Sequence, residues 1–210
     1  MNLFLKTMNT KIGFMQGRLS DQVNGLIQSF PWENWEKEFF VSKNIGISLM
    51  EWTLDHENLY QNPLMKEKDR LKILELSKKN QLSIKSLTGD CFMQNPFWKA
   101  ESKKKDNLHQ ELIDICRASS LIGIEIIVVP LVDNGMPENK YQEDQIIQFF
   151  KSIIKDLKSF NLKIAFECEF KPLKVAKFIE KLEYEQFGIN YDTGNSAAIG
   201  YVPKEEFKSY

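Results

Sequence analysis

Glu51, Asp90, Asp133, Glu167 and Asp192 share one local context: each ends, or closely follows, a short apolar run. The runs are Ser48–Trp52 (SLMEW), Ser83–Thr88 (SIKSLT), Glu125–Pro130 (EIIVVP), Lys163–Glu169 (KIAFECE) and Phe187–Asp192 (FGINYD). Another run, Lys11–Gln16 (KIGFMQ), leads to Gln16 and Arg18, and Asn134, Glu169 and Asn195 lie beside the acidic positions. One carboxylate in such a place means little. Several that converge, with no lysine among them, raise one another's pKa and imply a bound divalent cation, with neighbouring polar groups left to contact a substrate.

Convergence depends on what carries these residues. Longer segments with helical spacing separate the short runs. These are Pro31–Lys43 (Trp32, Trp35, Phe39), Lys66–Lys79, Ser102–Leu121 (Leu108, Leu112, Ile115), Tyr141–Ser159 (Ile146, Phe150, Ile153, Leu157), Leu173–Leu182 and the start of a helix at Pro203–Tyr210. The apolar run EIIVVP is of the kind that a parallel sheet buries on both faces. Six strands, each followed by a helix and none joined by a hairpin turn, predict right-handed βαβ units in one sheet. A doubly wound sheet shares that pattern, but no GxGxxG follows the first strand and no GxxxxGK[ST] occurs. Polar groups after almost every strand favour a β/α barrel of the (β/α)8 TIM type, whose site lies at the C-terminal strand ends. About six units are present, and the barrel is expected to stop two short of closure.

Composition narrows the function. Of 210 residues, 28 Lys and Arg balance 29 Asp and Glu for a formal net charge of -1, so no polyanion-binding footprint exists and nucleic acid is disfavoured. The three cysteines, Cys91, Cys116 and Cys168, are far apart and read as reduced buried thiols. No apolar run reaches the length of a membrane span, the start is too quickly polar for a secretory signal, and a cytoplasmic protein is expected. Residues 1–10 are expected to be an extension before a single domain over 11–210, with Met8 a rival start to Met1.

The segments KIGFMQGRLS (11–20), LMEWTLD (49–55), SLTGDCF (86–92) and INYDTGNSAAIG (189–200) together resemble the xylose-isomerase-like TIM-barrel superfamily, and within it bacterial proteins called sugar phosphate isomerase/epimerase. The resemblance implies a divalent cation (Mn, Mg, Co or Zn) held by a Glu after strand five, an Asp after strand six, a His after strand seven and a Glu after strand eight. The first two match Glu167 and Asp192, with Glu169 the poorer alternative to Glu167. Many members have a His three residues after that Asp, where this chain has Asn195. The His and Glu of strands seven and eight have no counterpart. The implied chemistry is proton transfer between adjacent sugar carbons through an enediolate, with Glu167 as one of an acid–base pair. Arg18, Glu51, Asp90 and Asn195 become candidate contacts to a sugar or sugar phosphate.

Each assignment competes with a plainer one. Glu167 and Asp192 fit charges paired with lysine or arginine, Glu51 and Asp90 fit helix caps, and Arg18 fits a structural ion pair. His56 reads as a loop residue and His109 as a surface one. Trp52, Phe92 and Trp98 either wall a sugar pocket or seal the barrel top. Two other functions are carried: a metal nuclease of the related AP-endonuclease type, weakened by only two histidines, and a catalytically inactive fragment or a binding protein completed by a partner. Open barrel edges in the expected fold invite self-association into a homo-oligomer.

Overall fold

The computed structural model describes residues 12–23, 25 and 28–210, so the expected extension at 1–10 and the choice of start lie outside the described residues. Six strands stand side by side in chain order: β1 (Phe14–Met15), β2 (Leu49–Thr53), β3 (Ser83–Thr88), β4 (Ile126–Leu131), β5 (Lys163–Cys168) and β6 (Phe187–Ile189). Every neighbouring pair is parallel. The main connecting helices are α1 (Trp35–Asn44), α2 (Glu67–Asn80), α4 (Ser102–Leu121), α5 (Lys140–Ser152) with α6 (Ile154–Ser159), and α7 (Pro172–Leu182). Two short helices follow strands directly, α3 (Asp90–Gln94) and α8 (Thr193–Ile199), and α9 (Pro203–Ser209) comes last. This is an incomplete TIM-type barrel of six β/α units. Among the described strands, β1 and β6 each have one neighbour.

Strand alternation divides the side chains between two environments. In β5, Phe166 points to the helices, where its ring meets Phe150 of α5 at 5.0 Å and Phe178 of α7 at 5.1 Å, both edge-on. Burying such a side chain stabilises the fold by about 1.5–3 kcal/mol. The next residue, Glu167, must then face the barrel interior. In β2, Trp52 is wholly buried against Phe30 and Trp35, and its Nε1 donates to Asn62 Oδ1 at 3.2 Å. Glu51 before it faces inward for the same reason. The helix-facing aromatics thus fix which residues reach the site.

Local chemistry moved several element ends from their expected positions. Pro31 sits in a turn closed by Asn34 N–H donating to its carbonyl at 2.9 Å, and α1 begins only at Trp35. The expected helix over 141–159 breaks at Ile153, where Ser152 Oγ donates back to the Phe149 carbonyl at 2.6 Å and competes with the helical ladder. β6 stops at Ile189 because Asp192 caps α8, its Oδ1 accepting from Asn195 N–H at 2.8 Å. The three cysteines are unpaired; Cys91 and Cys116 are buried, whereas Cys168 is half-buried. Among the described residues no helix is long and apolar enough to cross a membrane.

Candidate functional site

The C-terminal ends of all six strands open into one cavity of about 550 Å³. Its walls include Met15 of β1, Glu51 of β2, Thr88 and Asp90 at β3, Pro130, Val132 and Asp133 at β4, Glu167 of β5, and Asn190, Asp192 and Asn195 after β6. Gln28 and Gln94 complete the polar lining. Five carboxylates face this space, and its described walls contain no lysine, arginine or histidine.

Glu167 is held by two side-chain amides. Asn190 Nδ2 donates to its Oε2 and Asn195 Nδ2 to its Oε1, each at 2.9 Å. Burial raises its pKa to about 7; the Asn190 hydrogen bond opposes this, and the charges of Asp192, Asp90 and Glu51 add to it. Asp90 is buried and pushed up to about 6, mainly by desolvation, although Gln28 Nε2 donates to both its oxygens at 2.9 and 2.7 Å. Burial also raises Glu51, with a hydrogen bond to Ser86 working against it. These carboxyls resist ionisation because burial strips part of their hydration and the hydrogen-bond donors supplied to them are neutral.

The candidates from the sequence divide clearly. Glu51, Asp90, Glu167, Asp192 and Asn195 meet in the cavity, as does Asp133. Arg18 is exposed and outside the described lining, though near enough that its charge lowers the pKa of Asp90. Glu169 is not in the cavity wall, and Asn134 donates to the Met93 carbonyl at 2.8 Å. Trp52, Phe92 and Trp98 belong to the core, Trp98 Nε1 donating to the Gly135 carbonyl at 3.1 Å. His56 lies by Glu111, with Nε2 3.3 Å from its Oε2, away from the cavity. His109 is not a free surface group: it stacks on Phe149 at 4.0 Å and meets Phe97 at 4.6 Å.

The cavity also holds groups that the sequence reading passed over: Gln28, Thr88, Gln94 and Asn190. Asn190 had a usable signal, because it lies two residues before Asp192 at the end of the same apolar run. Glu38 had none. It is fully buried on α1, and its carboxylate accepts Gly17 N–H at 2.9 and 3.0 Å and Leu19 N–H at 3.0 Å. That grip shapes the β1–α1 loop on either side of Arg18. Gly17 takes φ +94°, and a Cβ there would lie 2.7 Å from the Ser29 carbonyl oxygen.

The donor set tests a cation site directly. Glu167 and Asp192 offer hard oxygen ligands, and each Glu167 oxygen accepts one amide hydrogen where a carboxylate oxygen has room for two. Among the described residues no three His, Cys, Asp or Glu side chains are grouped as a metal cluster. Two carboxylates fit an ion that keeps several waters, such as magnesium or manganese, better than zinc with its nitrogen and sulfur preference.

A parallel β/α barrel with an acidic cavity at its strand ends defines a broad class of proteins. The chain belongs to the xylose isomerase-like TIM barrel family, whose model matches residues 39–209. A search of curated proteins found no match. Among solved structures, the chain is similar to a xylose isomerase domain protein from Planctomyces limnophilus, at 12% identity and TM-score 0.68, covering 94% of this chain and 69% of that one. It is similar to a D-psicose 3-epimerase solved in the presence of D-fructose, at 8% identity and TM-score 0.72, covering 94% of this chain and 68% of that one. It is also similar to a xylose isomerase-like TIM barrel protein from Mycobacterium smegmatis in complex with magnesium, at 13% identity and TM-score 0.67, covering 95% of this chain and 71% of that one. At these identities the likeness establishes the fold.

Proposed function

We propose that the chain is a sugar or sugar-phosphate isomerase or epimerase that moves a proton between adjacent carbons, with Glu167 as the base. The observation that carries this reading is a carboxyl group with a pKa near 7, in a cavity and held only by neutral amides. A base poised near working pH combines a useful ionised fraction with enough basicity to take a proton from carbon. Family membership and the D-psicose 3-epimerase neighbour support the same reading.

Glu167 accepts the proton from the carbon beside the carbonyl, and the released electron pair moves onto the carbonyl oxygen, giving an enediolate. Return of the proton to the former carbonyl carbon, as the adjacent hydroxyl passes its own proton to the former carbonyl oxygen, shifts the carbonyl, whereas a proton delivered from solvent to the opposite face of the original carbon, with Glu167 keeping the one it took, gives the epimer. Glu167 and Asp192 would hold a divalent cation, which when bound supplies polarisation of the carbonyl and its adjacent hydroxyl. Asn190 and Asn195 keep the Glu167 carboxylate oriented. Asp90, itself held by Gln28, and Glu51 accept hydrogen bonds from substrate hydroxyls, while Arg18 acts at the rim.

The test is exchange of substrate C–H with solvent deuterium. Purified chain with Mn²⁺ or Mg²⁺ is incubated at pH 8 with a panel of aldoses, ketohexoses and their phosphates and followed by ¹H NMR. Label should enter beside the carbonyl of at least one sugar and be lost in Glu167→Gln. A folded, cation-binding chain that exchanges none of them would overturn the enzymatic reading. It would favour instead a non-catalytic or partner-completed protein, a reading prompted by the single-sided pairing of β1 and β6 among the described strands.

A further inference from the structure

Glu206 of α9 is a buried carboxylate, 4% exposed, that plays no part in the chemistry above. Its described partners are hydroxyls. Ser196 Oγ donates to Oε2 at 2.5 Å, Tyr191 O–H to Oε2 at 2.7 Å, and Tyr210 O–H to Oε1 at 3.4 Å. Three hydroxyls from three positions converge on one buried carboxyl group, so this cluster is an anchor away from the cavity.

The two closer partners bracket the site. Tyr191 immediately precedes Asp192, and Ser196 immediately follows Asn195. Between them the chain leaves β6 at Ile189 and enters α8 at Thr193. The ladder reaches only to Asn190, whose N–H donates to the Phe166 carbonyl at 2.9 Å. Beyond that point the turn is fixed by the Asp192 cap on Asn195 and by the grip of Glu206 at its two ends.

We infer that Glu206 is a positioning residue: through Tyr191 and Ser196 it holds the turn that places Asp192 and Asn195 against Glu167. The role in turnover rests on the proposed proton transfer, but the mechanical link does not. A carboxylate one helix away from the chemistry thus fixes the distance from Asn195 Nδ2 to Glu167.

Amide hydrogen exchange resolved by NMR tests the link on the whole chain. The Asn195 N–H, bonded to Asp192, is the reporter. In Glu206→Leu, and in the milder double variant Tyr191→Phe with Ser196→Ala, its exchange should quicken at least tenfold, while amides of β3 and β4 keep their parent rates. Unchanged protection of Asn195 in folded protein overturns the proposal, and so does a uniform loss across the sheet, which would mark Glu206 as a general stabiliser. If Glu206→Leu does not fold, the double variant decides alone by the same criteria. Where sugar exchange is measurable, the double variant should lower kcat with little change in KM. Absence of any sugar exchange by the parent protein would count against the enzymatic reading and leave the Asn195 result standing.

Discussion

Asn195 Nδ2 lies 2.9 Å from Glu167 Oε1, joining the first turn of α8 to the end of β5. The side chain three residues after Asp192 therefore serves the neighbouring carboxylate as a donor. An amide keeps that role at every pH, whereas the histidine common at this place in the resembled proteins would titrate. The protonation of Glu167 is thus set by burial and nearby carboxylates, with the Asn190 hydrogen bond opposing them.

Glu167→Gln should raise thermal stability above neutrality. The Glu167 pKa lies above its ordinary 4.5, so its contribution to stability is full below that value and is lost as pH rises through about 7. Gln removes the charge and keeps an acceptor for one asparagine. Calorimetry should find Tm higher than the parent by roughly 2–4 °C at pH 8, with the difference shrinking towards pH 5. An equal difference at both values would contradict the assignment.

Cation binding should compete with protons for Glu167. Binding needs the ionised ligand, so apparent Mn²⁺ affinity is expected to fall roughly tenfold per pH unit below about 7 and to level off above it. Titrations followed by electron paramagnetic resonance between pH 6 and 8 would show this slope. A flat response would move the cation away from Glu167.

Glu38→Leu should destabilise the β1–α1 loop, because the amides of Gly17 and Leu19 lose a buried acceptor. Each unsatisfied group costs about 1–3 kcal/mol, and Glu38→Gln should cost less because it keeps one acceptor oxygen. Gly17→Ala adds strain at φ +94° and a clash with the Ser29 carbonyl. Urea denaturation would rank the three variants.

His109 should make the protein acid-sensitive. Burial, followed by the charge of Lys105, lowers its pKa from 6.5, so the neutral ring is the folded form. The stability it contributes is present above 6.5 and declines as pH falls through the lowered value. His109→Phe preserves stacking on Phe149 and should flatten the loss of Tm between pH 7 and 5. A parent-like acid limb in that variant would assign the sensitivity elsewhere.

The architecture was readable because its determinants are local. Ile127, Val128 and Val129 form an unbroken run too apolar for a half-exposed strand, and Leu108, Leu112 and Ile115 repeat at helical spacing. The position of Glu51, Glu167 and Asp192 at or just after strand ends likewise brought them to one cavity. Contacts between distant residues were not readable. Nothing near Glu38 shows that it binds backbone amides at 17 and 19, and nothing near Asp90 shows that Gln28 grips it. Element ends failed for a third reason: Ser152 and Asp192 chose local hydrogen bonds over continuing a helix or a strand.

Because the sheet runs β1 to β6 without a crossing in strand order, each strand pairs with strands separated from it by a single connection. Among the described strands no pairing waits for a distant part of the chain, and loop-closure entropy grows only slowly with connection length. The sheet can therefore grow one β/α unit at a time as the polypeptide leaves the ribosome. The acidic residues are brought together gradually by this order of assembly, with Asp192 the last of them to meet the others.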